Sequence, residues 1–94
     1  MANAKRKGTL QIIDDEASIC FAFRRYFEKR GYDVLTSSRG AEGLQQCLSQ
    51  KPDMVFLDVR LGDADGLDIL AQIRQERPQL PVVVMTAYGT LETV

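Results

Sequence analysis

Four short apolar segments are spaced along the chain, and a stretch with helical periodicity follows each of the first three. The segments occupy residues 9–13, 32–36, 54–57 and 80–85. The third is apolar without alternation, which is typical of a strand in a parallel sheet that is covered on both faces. Strands that alternate with helices through short loops form a parallel sheet with right-handed crossovers. The sequence therefore predicts one α/β domain.

The stretches between these segments carry apolar residues at the three-to-four spacing of amphipathic helices. The first predicted helix spans residues 17–30 and ends at Gly31, and the second is closed by Pro52. The third spans residues 66–77, and residues 90–94 resemble the first turn of a fourth helix capped by Thr90. We expect a doubly wound parallel sheet of strand order 2-1-3-4, cut off at the start of the fourth helix.

Charge and hydropathy exclude two broad classes of function. The formal net charge is -1 and the sequence pI is about 5.3, so the chain has no general attraction for nucleic acid or anionic lipid. Its apolar runs are far shorter than the roughly 20 residues that span a bilayer. No secretory signal follows the basic start. We therefore expect no nucleic-acid or membrane partner for these residues.

The positions of the basic residues and the cysteines predict the domain limits and the cellular compartment. Residues 1–8 carry three cations and read as a flexible basic arm, which leaves residues 9–94 as the domain. Cys20 and Cys47 stand alone in helical segments and lack CxxC spacing, so we expect buried reduced thiols rather than a disulfide or metal site. A reducing cytoplasm suits such a chain.

Acidic residues follow two of the predicted strands. Asp14 and Asp15 follow the first strand, and Asp58 ends the third. The ligand crevice of an open parallel sheet lies at the carboxyl ends of its strands, where the strand order reverses, so we expect these carboxylates to converge. Crowded carboxylates repel one another unless a cation lies among them. Oxygen ligands in a chain without histidine favour Mg2+.

Asp58 is the candidate nucleophile of this predicted site. An aspartate beside Mg2+ can attack a phosphoryl donor, because the metal offsets the repulsion between two anions. Thr86 follows the fourth strand, and its hydroxyl could donate to a phosphoryl oxygen. Taken singly, these residues have ordinary explanations: Asp15 could cap the first helix, Arg60 could be a solvated loop cation, and Thr86 could simply end a strand.

Three motifs resemble the receiver domains of bacterial two-component response regulators. They are QIIDDE at residues 11–16, MVFLDVRLGDADGLDIL at residues 54–70 and VVVMTAYG at residues 82–89. The resemblance implies a flavodoxin-like (CheY-like) fold. It also implies transfer of a phosphoryl group from a histidine kinase or phosphotransfer protein, and no enzyme activity beyond assistance to that transfer and its reversal. MTAYG followed by TLETV is most similar to receivers of nitrogen-regulatory transcriptional activators.

The resemblance also implies a role for each site residue. Asp58 matches the phosphoacceptor, Asp15 the direct magnesium ligand, Asp14 a ligand that acts largely through water, Arg60 the donor of a backbone carbonyl to the metal, and Thr86 the switch threonine. Gly62 stands where many members of the family have proline, so we expect a looser loop after Asp58.

Family members continue with a fifth strand, which carries a lysine that grips the phosphoryl group, and a fifth helix. Neither is present in these 94 residues, so we expect phosphorylation to be weak or short-lived. We also expect a homo-oligomer that pairs through an exposed edge of the fourth strand. The apolar face of the first helix, with Ile19, Phe23 and Phe27, would add to this pressure to associate.

Two other classes of function stay open. A Mg2+-dependent phosphohydrolase can also use an aspartyl nucleophile, but it usually places a second aspartate two residues later, where this chain has Arg60. The second alternative is an interaction or dimerisation module that is not phosphorylated and binds through the surface around Tyr88. Turnover of a phosphate monoester would favour the first alternative, and failure to bind Mg2+ would favour the second.

Overall fold

A computed structural model of the chain describes residues 6–85 and the backbone of residues 91–93. Within these residues there are three helices and five strands. The elements, in chain order, are β1 (Gly8–Ile13), α1 (Ala17–Glu28), β2 (Tyr32–Ser37), α2 (Gly40–Gln50), β3 (Met54–Asp58), α3 (Gly66–Glu76), β4 (Val82–Met85) and β5 (Leu91–Thr93). The first seven of these elements are the alternating strands and helices that the sequence predicts.

The strands form one sheet in the order β2-β1-β3-β4-β5. β1 is parallel to both β2 and β3, and β3 is parallel to β4, which confirms the predicted order 2-1-3-4. Ile13 of β1 pairs with Leu57 of β3, so the residues that follow each of them emerge side by side. This register brings the loops after β1 and β3 to the same edge of the sheet.

The last described segment corrects two predictions. Residues 91–93 form the strand β5, antiparallel to β4, and not the first turn of a fourth helix. Leu91, Glu92 and Thr93 pair with Met85, Val84 and Val83, so the edge of β4 is occupied and is not free to pair with another chain. The physical reason is that an open edge leaves strand N–H and C=O groups unpaired, and a segment containing the β-branched Thr93 satisfies them.

The apolar core lies between the sheet and the helices α2 and α3. Its centre is Ile13, Val55 and Leu57 of the sheet, against Cys47 of α2 and Ile73 of α3, and all five are fully buried. Gly43 of α2 lies directly on Ile13, where an added Cβ would come within 2.7 Å of the Ile13 side chain. Cys47, which lies in this core, is a buried free thiol, as predicted.

Helix α1 covers the other face of the sheet and leaves part of its own apolar surface exposed. The ring of Phe23 packs on Phe56 of β3 at 4.8 Å between centroids, and that of Phe27 at 6.2 Å. Ile19, on the apolar face that we expected to be partly exposed, is 42% exposed, and Tyr26 is 52% exposed. Cys20 is only partly buried, which corrects its predicted burial.

The N-terminal side of the sheet begins earlier than predicted. β1 starts at Gly8, the amide of Lys7 donates to the carbonyl of Gly31 at 2.8 Å, and Arg6 forms an ion pair with Asp33 at 3.1 Å. Residues 6–8, which we assigned to a flexible arm, are thus attached to the sheet, whereas residues 1–5 lie outside the described part of the chain.

None of the described helices has the length and hydropathy needed to cross a membrane.

Candidate functional site

Three aspartates meet at the carboxyl edge of the sheet. Asp14 and Asp15 follow β1, and Asp58 is the last residue of β3. One carboxylate oxygen from each residue lies within 4.8 Å of those of the other two. Asp14 is buried, Asp58 is half-buried and Asp15 is exposed, so the group opens to solvent on one side. The structure therefore brings the three predicted carboxylates together, as the strand order requires.

The surroundings of Asp14 oppose its ionisation. Burial raises the pKa of the Asp14 carboxyl, and the negative charges of Asp58 and Asp15 raise it further. The amide of Glu16, which donates to Asp14 Oδ1 at 2.9 Å, opposes part of this rise. A site that penalises its own negative charge in this way is one that a cation stabilises.

Asp14 and the start of α1 are held together by a second contact. The thiol of Cys20 donates to the backbone carbonyl of Asp14 at 3.3 Å.

Glu16 is the N-cap of α1 and makes no side-chain capping hydrogen bond. The alternative in which Asp15 caps this helix therefore finds no support in the described residues, and the Asp15 carboxylate faces the cluster instead.

Hydrogen bonds to backbone amides fix the course of the loop after Asp58. The amide of Arg60 donates to Asp58 Oδ1 at 2.9 Å, and the amide of Gly66 donates to the carbonyl of Val59 at 3.0 Å. A Cβ added at Gly66 would lie 2.4 Å from Val59 Cα and 2.6 Å from the Asp58 carbonyl oxygen, so this position needs glycine. Asp65 caps α3 by accepting from the amide of Leu67 at 2.9 Å. The backbone near Asp58 thus has a defined course.

Asp63 is a residue of this loop whose role the sequence did not reveal. Its carboxylate accepts hydrogen bonds from the amides of Gly40, at 2.7 Å, and Ala41, at 3.3 Å, which are the first two residues of α2. The only sequence signal was the absence of an N-cap side chain of the usual type before α2, where Arg39 stands. Nothing in the local pattern pointed to an aspartate from a distant loop.

The predicted switch residue, Thr86, lies outside the described residues, as does Tyr88. The residue before Thr86, Met85, pairs with Asp58 in the register of β3 and β4. The described end of β4 therefore lies beside the end of β3 at the acidic edge.

A shallow cleft of about 370 Å³ flanks the acidic cluster. It lies between α1 and the end of β2, and its wall includes Asp14, Cys20, Arg24 and Thr36. Arg24 spans it, with Nη2 at 3.4 Å from the Thr36 hydroxyl. Neither Asp15 nor Asp58 lines the cleft, so it borders the carboxylate site and does not contain it.

Comparison with known proteins agrees with this geometry. The sequence model of the response regulator receiver domain matches residues 10–94. The chain is 38% identical over 90 residues to the alginate biosynthesis transcriptional regulatory protein AlgB of Pseudomonas aeruginosa, covering 96% of this chain and 20% of that protein. It is 37% identical over 87 residues to the DNA-binding transcriptional regulator NtrC of Escherichia coli, covering 93% of this chain and 19% of that protein.

A solved structure gives the same result in three dimensions. The BeF3-activated receiver domain of nitrogen regulatory protein C superposes with a TM-score of 0.77 at 36% identity, over 90% of this chain and 68% of that one. The chain spans about a fifth of the length of the curated relatives named above. The family match covers nearly all of the chain, and its fold and acidic edge agree with that match. The chain therefore belongs to the family of response regulator receiver domains.

Proposed function

We propose that this receiver domain accepts a phosphoryl group on Asp58, with Mg2+ held by Asp14, Asp15, Asp58 and the backbone carbonyl of Arg60. The observation that carries the proposal is the convergence of three carboxylates, each with an oxygen within 4.8 Å of the others. Their oxygen-only donor set in a chain without histidine suits Mg2+ better than zinc or copper. The raised pKa of Asp14 supports a site that is completed by a cation.

The chain's own residues would divide the work of phosphoryl transfer. An oxygen of Asp58 attacks phosphorus, an acyl phosphate bond forms, and the bond from phosphorus to the donor breaks. The amide of Arg60, 2.9 Å from Asp58 Oδ1, orients the carboxylate for this attack. Bound Mg2+ supplies the positive charge that offsets the repulsion between the carboxylate and the donor. We also propose Thr86 as the switch residue, whose hydroxyl would donate to a phosphoryl oxygen.

The phosphohydrolase alternative is less well supported. It requires an acid or base close to Asp58 in addition to the metal ligands. Such enzymes usually carry this residue two positions after the nucleophile, where this chain has Arg60. Within the described part of the chain, Asp14 and Asp15 are the carboxylates grouped with Asp58, and the metal would occupy both. We therefore propose a phosphoacceptor that is not an enzyme in its own right.

The proposed phosphoryl donor is a histidine kinase or a phosphotransfer protein, since receiver domains of response regulators act with such partners. AlgB and NtrC are transcriptional regulators by name. Control of transcription is therefore our proposal for a longer protein in which this domain would act. A cytoplasmic location is part of the same proposal.

Self-association stays a second proposal, although its predicted route through the edge of β4 is wrong. The remaining basis is α1, where Ile19, Phe21 and Tyr26 are 42%, 62% and 52% exposed. Exposed apolar groups of this kind favour association with another surface. Sedimentation velocity over a range of concentrations tests it: a single monomeric species at the highest concentration would contradict it.

Titration of the 15N-labelled chain with Mg2+, followed by beryllofluoride, tests the proposed function. Beryllofluoride mimics a phosphoryl group, so we expect saturable amide shifts at Asp15, Asp58 and Val59, first with Mg2+ and then with the mimic. Asp58→Asn should abolish the response to beryllofluoride. Asp68→Asn, which removes an exposed aspartate of α3, is the matched control and should respond like the native chain. Equal responses in both variants would contradict the proposal.

A further inference from the structure

The N-terminus of α2 is capped by a residue that lies outside its own helix. The first amides of a helix have no acceptor within the helix, and a nearby carboxylate satisfies both their hydrogen bonding and their partial positive charge. Arg39, the N-cap of α2, offers no side-chain hydrogen bond. Asp63 replaces it by accepting from Gly40 at 2.7 Å and from Ala41 at 3.3 Å. The hydrogen bond from the Gly40 amide is the main cause of a lowered pKa for the Asp63 carboxyl.

Close apolar contacts hold the same two segments together. A Cβ added at Gly40 would lie 2.9 Å from the Cβ of Ala64 and 3.2 Å from side-chain atoms of Leu61 and Ile69. The start of α2 therefore rests directly on the loop between β3 and α3. Leu61, from that loop, is part of the buried core. The Asp63 hydrogen bonds and these apolar contacts therefore join α2 to this loop at the same place.

The loop that Asp63 anchors also borders the acidic cluster. Its residue Arg60 donates an amide to Asp58, and an added Cβ at Gly62 would stand 3.7 Å from Asp15 Oδ2. Asp63 follows Gly62 directly, so a shift of Asp63 would move the Gly62 backbone, which lies beside Asp15. Small displacements of groups that position a reacting centre have large effects on its function.

We propose that Asp63 is a positioning residue for the acidic site, which acts by tying the loop after Asp58 to the N-terminus of α2. The metal part of this inference rests on the proposed function, because it takes Asp14, Asp15 and Asp58 as the binding site. Gly62 gives this loop more backbone freedom than proline would. The Asp63 cap supplies a restraint at the next residue.

Three variants test the proposal. Asp63→Ala removes the cap, and Asp63→Asn keeps one oxygen that can accept from Gly40. Glu42→Gln is the matched control: it removes a negative charge from the first turn of α2 without touching the loop contact. The measurements are the dissociation constant for Mg2+ by calorimetry, and the backbone 15N relaxation of residues 59–62 with and without Mg2+.

We expect Asp63→Ala to weaken Mg2+ binding about tenfold, at the low end of the loss that follows removal of groups supporting metal ligands, because Asp63 acts on the ligands only through the loop. Asp63→Asn should fall between this variant and the native chain, and Glu42→Gln should bind like the native chain. Residues 59–62 should gain mobility in Asp63→Ala even without metal. Unchanged Mg2+ affinity in a folded Asp63→Ala chain would overturn the proposal and leave Asp63 as a helix cap only.

The two proposals can fail separately. If the native chain does not bind Mg2+, the proposed function fails, and the relaxation data without metal then decide the role of Asp63. Mobility of residues 59–62 that equals the native value in Asp63→Ala would overturn the positioning role. If Asp63→Ala does not fold, the same comparison is made with Asp63→Asn, where mobility and Mg2+ affinity equal to the native values would overturn it.

Discussion

Asp15 and Asp58, which come from segments far apart in the sequence, place carboxylate oxygens within 4.8 Å of each other. They meet because β1 and β3 are parallel neighbours and because Ile13 pairs with Leu57 near the ends of both strands. Burial raises the pKa of the neighbouring Asp14 carboxyl and the charges of Asp58 and Asp15 add to this rise, so a cation bound here would stabilise the folded chain. The predictions below concern this site and the contacts that hold it.

Asp14→Asn should stabilise the metal-free chain by about 1 kcal/mol, as replacement of a functional group that opposes folding often does. Burial raises the pKa of Asp14 in the fold, so the folded chain holds this proton more tightly than the unfolded chain, whose value is near 3.8. The Asp14 charge therefore lowers stability as pH rises above that value. The gain from Asp14→Asn should be small in acid and should grow toward neutral pH.

Urea denaturation followed by circular dichroism, from pH 3 upward in about unit steps, checks this prediction. Addition of Mg2+ should stabilise the native chain and should stabilise Asp14→Asn less, because the variant has lost a ligand. Asp68→Asn, from the exposed side of α3, is the control and should keep the full response to Mg2+. An Asp14→Asn chain that is less stable than the native chain at neutral pH without Mg2+ would contradict the account.

Gly66→Ala and Gly62→Ala should differ sharply, although both glycines lie in the loop after Asp58. The added methyl group at position 66 would meet backbone atoms at 2.4 and 2.6 Å, whereas at position 62 it would meet only Asp15 Oδ2, at 3.7 Å. We expect Gly66→Ala to cost about 3 kcal/mol, and Gly62→Ala to change stability by less than about 1 kcal/mol. Thermal unfolding of the two variants side by side measures the difference, and equal costs would contradict the loop geometry.

Gln46→Leu should destabilise the chain by about 2 kcal/mol. Gln46 Oε1 accepts from the amide group of Gln11 at 2.9 Å and from the Ser37 hydroxyl at 2.9 Å, and both of those residues are buried. The substitution takes this acceptor from two buried donors at once. Gln45→Leu, at the neighbouring exposed position of α2, is the control and should cost much less. Equal denaturation midpoints for the two variants would show that the network contributes nothing.

The two thiols should react slowly and at different rates. Burial raises the pKa of both Cys20 and Cys47, and the charge of Asp14 adds to the effect at Cys20, so little thiolate forms at neutral pH. Cys20 is partly exposed and Cys47 is fully buried. Iodoacetamide should therefore label Cys20 slowly and Cys47 only on unfolding, as peptide mass spectrometry can show. Faster labelling of Cys47 would contradict the described packing.

The pattern of strands and helices was predictable because each element carries its own signal. The continuous apolar run before Asp58 indicated a covered parallel strand, and the topological rule for such sheets brought Asp14, Asp15 and Asp58 together. The helix turn predicted for residues 90–94 was wrong at residues 91–93, and its Thr90 cap lies outside the described residues. A three-residue strand has no periodicity, and its pairing with β4 depends on an open edge elsewhere. Local pattern alone could not decide between a helix turn and this strand.

Long-range contacts explain the remaining misses. Asp63 reads as an ordinary loop aspartate, and its hydrogen bonds to Gly40 and Ala41 exist only once α2 and α3 pack together. The helical spacing around Cys20 correctly indicated α1, but the predicted burial of this thiol was wrong, because how much of α1 the sheet covers depends on the neighbouring elements. Helical periodicity gives the face that an element can bury and does not give the area that its neighbours cover.

Mass spectrometry of the chain after incubation with acetyl phosphate tests the central claim most directly. We predict a mass increase of one phosphoryl group that requires Mg2+, maps to the peptide containing Asp58, and disappears in Asp58→Asn but not in Asp68→Asn. No increase in the native chain, or an undiminished increase in Asp58→Asn, would contradict the assignment of Asp58 as the phosphoacceptor.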